Sequence, residues 1–263
     1  MKRPEPPRVA GSRVSALRHD LIATRLELAR SRAEVDVLRR TVGRYLAVDL
    51  DDLVREAAGC GGERREVTVM FADLRGFATL SELIPPEEMT GLLSEIFGAT
   101  SEAILAEGGT IIDFEGDAVV AAFNARGDQP RHACRAMHAA LRLLAVVERL
   151  NAAWDARGTS QTWRAAGITS LAMRVGLHSG SVVAGSVGTA SRAKFALVGD
   201  VVNTASRIEE LNGSLDTTLL VSEVTARQLD ERQFAMLVDL GCHAVKGKSC
   251  PVHVMTMVPG QRG

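Results

Sequence analysis

The sequence has few aromatic residues and no long apolar run. Phe, Trp and Tyr together make 4% of the chain, with a single tyrosine. No apolar stretch reaches the ~18 residues a membrane-spanning helix needs. A charge excess is missing too, since 31 basic residues stand against 32 acidic ones, a net charge of −1. The balance gives no electrostatic footprint for nucleic acid or a membrane surface, and neither is expected as a partner. The four cysteines, Cys60, Cys134, Cys242 and Cys250, are scattered with no C-x-x-C pair. They read as reduced packing thiols rather than disulfides or a zinc site, in keeping with a cytoplasmic location. Residues 1–11 are rich in Pro and Arg and have no apolar core, so no secretory signal is expected.

What is present divides into three parts. Residues 1–12 read as a disordered tail. Over 13–58, Val14, Leu21, Leu28, Val35 and Val42 recur every seven residues, and Leu17, Thr24, Ser31, Leu38 and Tyr45 fill the alternate seam. This narrow a/d stripe between charged faces predicts a helix that pairs two chains as a parallel coiled coil, although Thr24 and Ser31 weaken its centre. Gly59, Gly61 and Gly62 then break the helix. From Glu63 to Val258 short apolar runs alternate with helical patterns. Strands are predicted over 66–71, 110–114, 118–123, 171–177, 194–198, 218–221 and 252–258. Helices are predicted over 80–105 (interrupted at Pro85-Pro86), 130–154, 200–211 and 222–229. Two of the strands flank Glu115-Gly116-Asp117, a hairpin signal. A hairpin amid alternating elements predicts an α+β sandwich with a mainly antiparallel sheet.

Two aspartates carry the chemistry. Asp73 ends the first strand and Asp117 sits at the hairpin tip. Carboxylates at the ends of neighbouring strands can converge on a hard divalent cation, which keeps its remaining sites for water and phosphate oxygens. The bland alternative is that Asp117 only forms a turn and Asp73 only caps a helix; spacing does not choose between the two.

The motifs choose. Phe71-Ala72-Asp73-Leu74-Arg75-Gly76-Phe77, followed by Thr79-Leu80-Ser81-Glu82, resembles the opening motif of class III adenylate and guanylate cyclases. Four further blocks match in order: Phe114 to Ala121, Arg174 to Gly180, Val198 to Arg207, and Val245 to Lys248. The resemblance spans residues 63–258. It implies a ferredoxin-like βαββαβ-type sandwich, a nucleoside triphosphate substrate, two divalent metal ions (Mg or Mn), and a homodimer whose two active sites are each shared between chains. Within such a site it implies that Asp73 and Asp117 hold the metals and that Arg174 of the same chain reaches the phosphates. From the partner chain, Asn203 orients the ribose, Arg207 stabilises charge on the α-phosphate, and Lys246 contacts the terminal phosphates. Asn203 and Arg207 lie one helical turn apart and share a face. His178, inside the Arg174 block, reads as structural rather than as a general base. The reaction implied is attack of the ribose 3′-hydroxyl on the α-phosphorus, giving the 3′,5′-cyclic monophosphate and pyrophosphate.

Base choice departs from the family pattern. Adenylate cyclases usually carry Lys three residues before the hairpin glycine and Thr or Asp three residues before the glycine of the Gly-Asp-x-Val-Asn block. Here those positions are Asp113 and Ala196. A carboxylate at 113 suits the N1–H and 2-amino donors of guanine, whereas Ala196 cannot bond to guanine O6. Because soluble members of the family are mostly adenylate cyclases, ATP is the expected substrate and GTP the alternative. An inactive homologue acting as a regulatory dimer is a further alternative, weighed against the presence of both aspartates, Asn203 and Arg207. The missing Gly-Gly-Asp/Glu-Glu-Phe signature and the presence of Asn203 and Arg207 argue against a diguanylate cyclase relative. Gly241 to Ser249 ends like a phosphate-binding P-loop but has five residues between its glycines instead of four, and so near the end of the sequence no βαβ unit is expected to follow it.

Overall fold

The computed structural model describes residues 21–37, 62–189 and 192–257, in two separate units that divide after Gly59. Residues 21–37 form a helix, α1, with every residue exposed. It carries the expected seam positions Leu21, Thr24, Leu28, Ser31 and Val35. The remainder of the expected coiled coil and the expected tail over 1–12 lie outside the described residues.

The second unit runs β1 (Glu63–Arg75), α2 (Phe77–Leu83), α3 (Pro86–Ala106), β2 (Thr110–Glu115), β3 (Ala118–Phe123), α4 (His132–Arg157), α5 (Gln161–Ala165), β4 (Ala172–Thr189), β5 (Arg192–Val198), α6 (Asp200–Leu215), β6 (Leu219–Ser222), α7 (Glu223–Ala226), α8 (Glu231–Ala235), β7 (Leu237–His243) and β8 (Val252–Met257). One eight-stranded sheet has the order β2-β3-β1-β4-β6-β8-β7, with β5 paired to β4. Every described pairing is antiparallel except β4 with β6. Strands β1 to β4, in the order β2-β3-β1-β4, are the ferredoxin-like βαββαβ core, and the rest extend it beyond β4.

Strand β1 is central and buried on both faces, which is why Val67 to Ala72 is apolar at every position but Thr68 rather than an alternation, and Thr68 is hydrogen-bonded to His132 and Ser179. Met70, Ala72 and Leu74 pack with Leu80, Ile96, Met137 and Leu143 on the face that α2, α3 and α4 cover. Val67, Val69 and Phe71 pack with Val120, Val182, Phe195, Val201 and Ala205 on the other face. The apolar area buried there, at ~25 cal/mol per Å², is the main drive for the fold. Pro85-Pro86 divides what a continuous pattern suggests into α2 and α3. Pro86 takes the first helical position of α3, where its missing N–H costs nothing.

Several boundaries differ from the expected ones. Strand β4 continues twelve residues beyond Leu177, through Gly180, Gly185 and Gly188, because its far half pairs with β5 rather than packing as an apolar run. Strand β7 and the short helices α5 and α8 have too little periodicity to be read from the sequence. The expected helix over 222–229 contracts to α7, with Ser222 as its N-cap accepting from Thr225 N.

Helix α6 lies directly on β4. A Cβ built on Gly176 would stand 2.4 Å from Glu209 N and 2.7 Å from Ala205 O. Gly176→Ala therefore has to prise α6 away from the sheet. A loss of about 3 kcal/mol, at the upper end for overpacking, is expected by chemical denaturation; a loss below about 0.5 kcal/mol would show that the helix is free to shift.

Candidate functional site

Pairing register builds the site. Asp73 on β1 is the Cα partner of Arg174 on β4, and Ala72 is the partner of Val119 on β3. Continuing that antiparallel register by two residues brings the β2–β3 turn alongside Asp73. Gly116 makes that turn at φ 67°, where a side chain would be strained. The outcome is that the Asp117 carboxyl stands within hydrogen-bonding reach of the Asp73 carboxyl. Burial, then this interaction and the charge of Asp73, push the Asp117 carboxyl up to about 7. Asp73 also accepts the Leu74 N–H through Oδ1 at 2.9 Å, which fixes its rotamer.

A third carboxylate, not anticipated from the motifs, stands behind the pair. Glu209 on α6 is 7% exposed, and its Oε1 has no hydrogen-bond partner. Burial first, then Asp73, pushes its carboxyl up to about 7, with Arg174 opposing. The buried Nε of Arg174 is likewise without a partner, and the guanidinium lies against Gly213, whose Cβ would stand 3.2 Å from Nη1. The signal was present in the sequence: Val201, Thr204, Ala205, Ile208, Glu209 and Asn212 are the buried stripe of α6 at helical spacing.

The other expected residues fall elsewhere. Asn203 is exposed, and Arg207, on the same face of α6, pairs with Glu210. Among the described residues no hydrogen bond or ion pair joins either to the aspartates. Lys246 is exposed, on a loop tied to the start of α6 by the ion pair of Lys248 with Asp200. Asp113 forms an ion pair with Lys194 of β5 at 2.7 Å, and Ala196 lies two residues further along that strand. His178 is in a buried polar chain in which its Nδ1 meets Ser222 Oγ at 2.8 Å, Ser222 meets Thr225, and Thr225 meets Ser179. Burial, with the nearby Lys248 ammonium, lowers His178 to about 4. A neutral, internally bonded imidazole suits a structural role.

Among the described residues no cluster of three or more His, Cys, Asp or Glu side chains forms a metal centre. The donor set is the two aspartates, and it suits a hard cation that completes its shell with water and phosphate oxygens. Cys134, Cys242 and Cys250 are free thiols. No described helix is long and apolar enough to cross a membrane.

These two groups give opposite pH dependences without added metal. The raised Asp117 carboxyl makes the folded state bind an extra proton between pH ~3.8 and ~7, so stability falls as pH rises through that window. The lowered His178 makes the unfolded state bind the extra proton between ~4 and ~6.5, so stability rises with pH there. The Glu209 carboxyl, raised to about 7 as well, adds to the same fall, so Asp117→Asn is expected to lessen rather than abolish the loss between pH ~6 and ~7.5 in thermal melts taken with chelator present. An unchanged profile would place the Asp117 carboxyl in solvent.

The relatives match this geometry. Residues 62–258 match the adenylate and guanylate cyclase catalytic domain family. Adenylate cyclase 1 of Rhizobium meliloti is 35% identical over 249 residues, 90% of this chain and 36% of that protein. The chain spans about a third of the length of these curated relatives, adenylate cyclases of Rhizobium meliloti and Anabaena cylindrica. Of solved structures, the adenylyl cyclase CyaB from P. aeruginosa is 31% identical with a TM-score of 0.60, over 76% of this chain and 97% of that one. The guanylyl cyclase Cya2 is 29% identical with a TM-score of 0.63, over 75% and 93%. With its five motifs in order and its two aspartates brought together, the chain belongs to the adenylate and guanylate cyclase catalytic domain family.

Proposed function

We propose that the protein is an adenylate cyclase, converting ATP to 3′,5′-cyclic AMP and pyrophosphate at sites completed by two copies of the chain. The observation that carries the reading is the interaction of Asp73 with Asp117, with Asp73 directly opposite Arg174 in the sheet. Two carboxylates in contact, one held protonated to about 7, are an arrangement that divalent charge relieves. The pair therefore fits two cations, Mg or Mn, which when bound lower the pKa of the ribose 3′-hydroxyl and neutralise phosphate charge.

The chain's own residues supply position and field. Arg174, backed by the buried Glu209 carboxyl, directs its guanidinium at the phosphates. Asn203, exposed, and Arg207, half-buried, lie one turn apart on α6 and are available to a site in another copy, where Asn203 holds the ribose and Arg207 stabilises charge on the α-phosphate. The exposed Lys246 meets the terminal phosphates. The 3′-oxygen forms a bond to the α-phosphorus, the bond from that phosphorus to the bridging oxygen of pyrophosphate breaks, and the hydroxyl proton leaves to water. Alignment and charge stabilisation are the whole contribution of the protein, and no covalent enzyme intermediate is needed. The heptad seam through α1 supports pairing of two chains ahead of the catalytic unit.

ATP is favoured because curated relatives are named adenylate cyclases. Asp113 favours a second reading, GTP, through its fit to the guanine N1–H and 2-amino donors. An inactive regulatory dimer is disfavoured, since every residue the chemistry needs is present.

Mixing two inactive variants tests the shared site. Asp73→Ala and Arg207→Ala are each expected to lower cyclic nucleotide formation at least ~100-fold, the scale of losing a transition-state contact. Mixed in equal amounts, they are expected to regain turnover, because one of the two sites in a mixed dimer is intact. No recovery from a mixture shown to contain mixed dimers would overturn the composite site.

A further inference from the structure

The base-reading positions implied by the resemblance are Asp113 and Ala196, and Ala196 has no polar atom with which to read anything. The structure supplies a substitute. Residues 194 and 196 of β5 are two apart and so point to the same face of the strand. Lys194 Nζ donates to Asp113 Oδ2 at 2.7 Å across the gap between β5 and β2. A register shift in β2 between Ile111 and Asp113 inserts one extra residue there, the kind of bulge that re-aims a side chain. The two groups are 69% and 40% exposed, so the pair is open to an incoming molecule. Asp113 and Glu115, alternate residues of β2, both hold the Lys194 ammonium in its charged form.

We infer that Lys194 is a base-reading residue, and that with Asp113 it adds GTP to the substrates of this cyclase. The inference rests on the proposed cyclase site. A side-by-side ammonium and carboxylate present donor and acceptor to one edge of a purine. With the base posed so that position 113 faces N1, the Asp113 carboxylate accepts from N1–H and the 2-amino group of guanine, a two-oxygen match. Lys194 then donates to O6, the contact that Ala196 cannot make. In the same pose adenine offers Asp113 an acceptor at N1 and turns its 6-amino donor towards an ammonium. ATP is held there by ribose and triphosphate contacts alone, whereas GTP gains three hydrogen bonds. The ordinary arrangement is reversed in charge: the base of β2 carries the acid and β5 carries the lysine.

Binding separates this from the cyclase reading. The whole 263-residue chain is titrated with 3′-deoxy-GTP and 3′-deoxy-ATP in the presence of Mn²⁺ by calorimetry, and turnover of GTP and ATP is measured in parallel. The 3′-deoxy nucleotides lack the nucleophile and cannot cyclise. Wild type is expected to bind 3′-deoxy-GTP at least as tightly as 3′-deoxy-ATP. Lys194→Met and Asp113→Asn are each expected to lower the ratio of GTP to ATP affinity about tenfold. Failure of wild type to bind 3′-deoxy-GTP, or a ratio unchanged in Lys194→Met, would overturn the inference and leave the pair a solvent-exposed ion pair. Selective binding without turnover of either nucleotide would uphold the base reading and overturn the cyclase proposal.

Discussion

The contact between the Asp73 and Asp117 carboxyl groups is the interaction around which the catalytic unit is arranged. Two acids do not approach one another in a partly buried place without opposition, and the Asp117 carboxyl, driven up to about 7, records that opposition. The fold sustains it through backbone pairing. Strand β1 is held by β3 on one side and β4 on the other, so the end of β1 and the turn after β2 have no freedom to separate. The strain is local, and the drive that overcomes it is spread along a central strand buried on both faces.

A second layer of buried charge lies behind the aspartates. Glu209 and Arg174 stand on α6 and β4, which Gly176 lets approach to backbone contact. Neither Glu209 Oε1 nor Arg174 Nε has a partner, which is unusual for buried polar atoms and places unspent hydrogen-bonding capacity beside the site. Asn203 is exposed and Arg207 half-buried on the same helix, away from its buried stripe, and among the described residues no hydrogen bond or ion pair joins either to the aspartates. One helix thus packs its buried stripe, Glu209 included, against the sheet and leaves Asn203 and Arg207 off that stripe. That division is the physical basis for reading the site as shared.

Much of this was legible in the sequence, and the parts that were not have identifiable causes. The two aspartates, Arg174 and the Asn203/Arg207 pair could be named because their motifs stand in order. The hairpin could be placed because Glu115-Gly116-Asp117 admits little else. Strand β1 was visible as an apolar run, though not its full length, since its charged ends carry no periodic signal. The far half of β4 escaped because glycines interrupt it and its partner β5 is short. Glu209 escaped because a buried acid on an apolar stripe looks, in one dimension, like its exposed neighbour Glu210. Lys194 escaped for a different reason: its partner is 81 residues away, and only the β2 bulge and the β4–β5 hairpin bring them together.

The central claim is that Asp73 and Asp117 together hold divalent cations that engage a nucleoside triphosphate. Electron paramagnetic resonance of Mn²⁺, titrated into the protein with 3′-deoxy-ATP present, reports this directly. The account predicts that wild type removes the free Mn²⁺ signal and that Asp73→Asn and Asp117→Asn each bind markedly less cation at the same nucleotide concentration. Undiminished Mn²⁺ binding in both variants would contradict it, because the cation would then be held by the nucleotide or by other residues, and the contact between the two carboxyl groups would have no catalytic meaning.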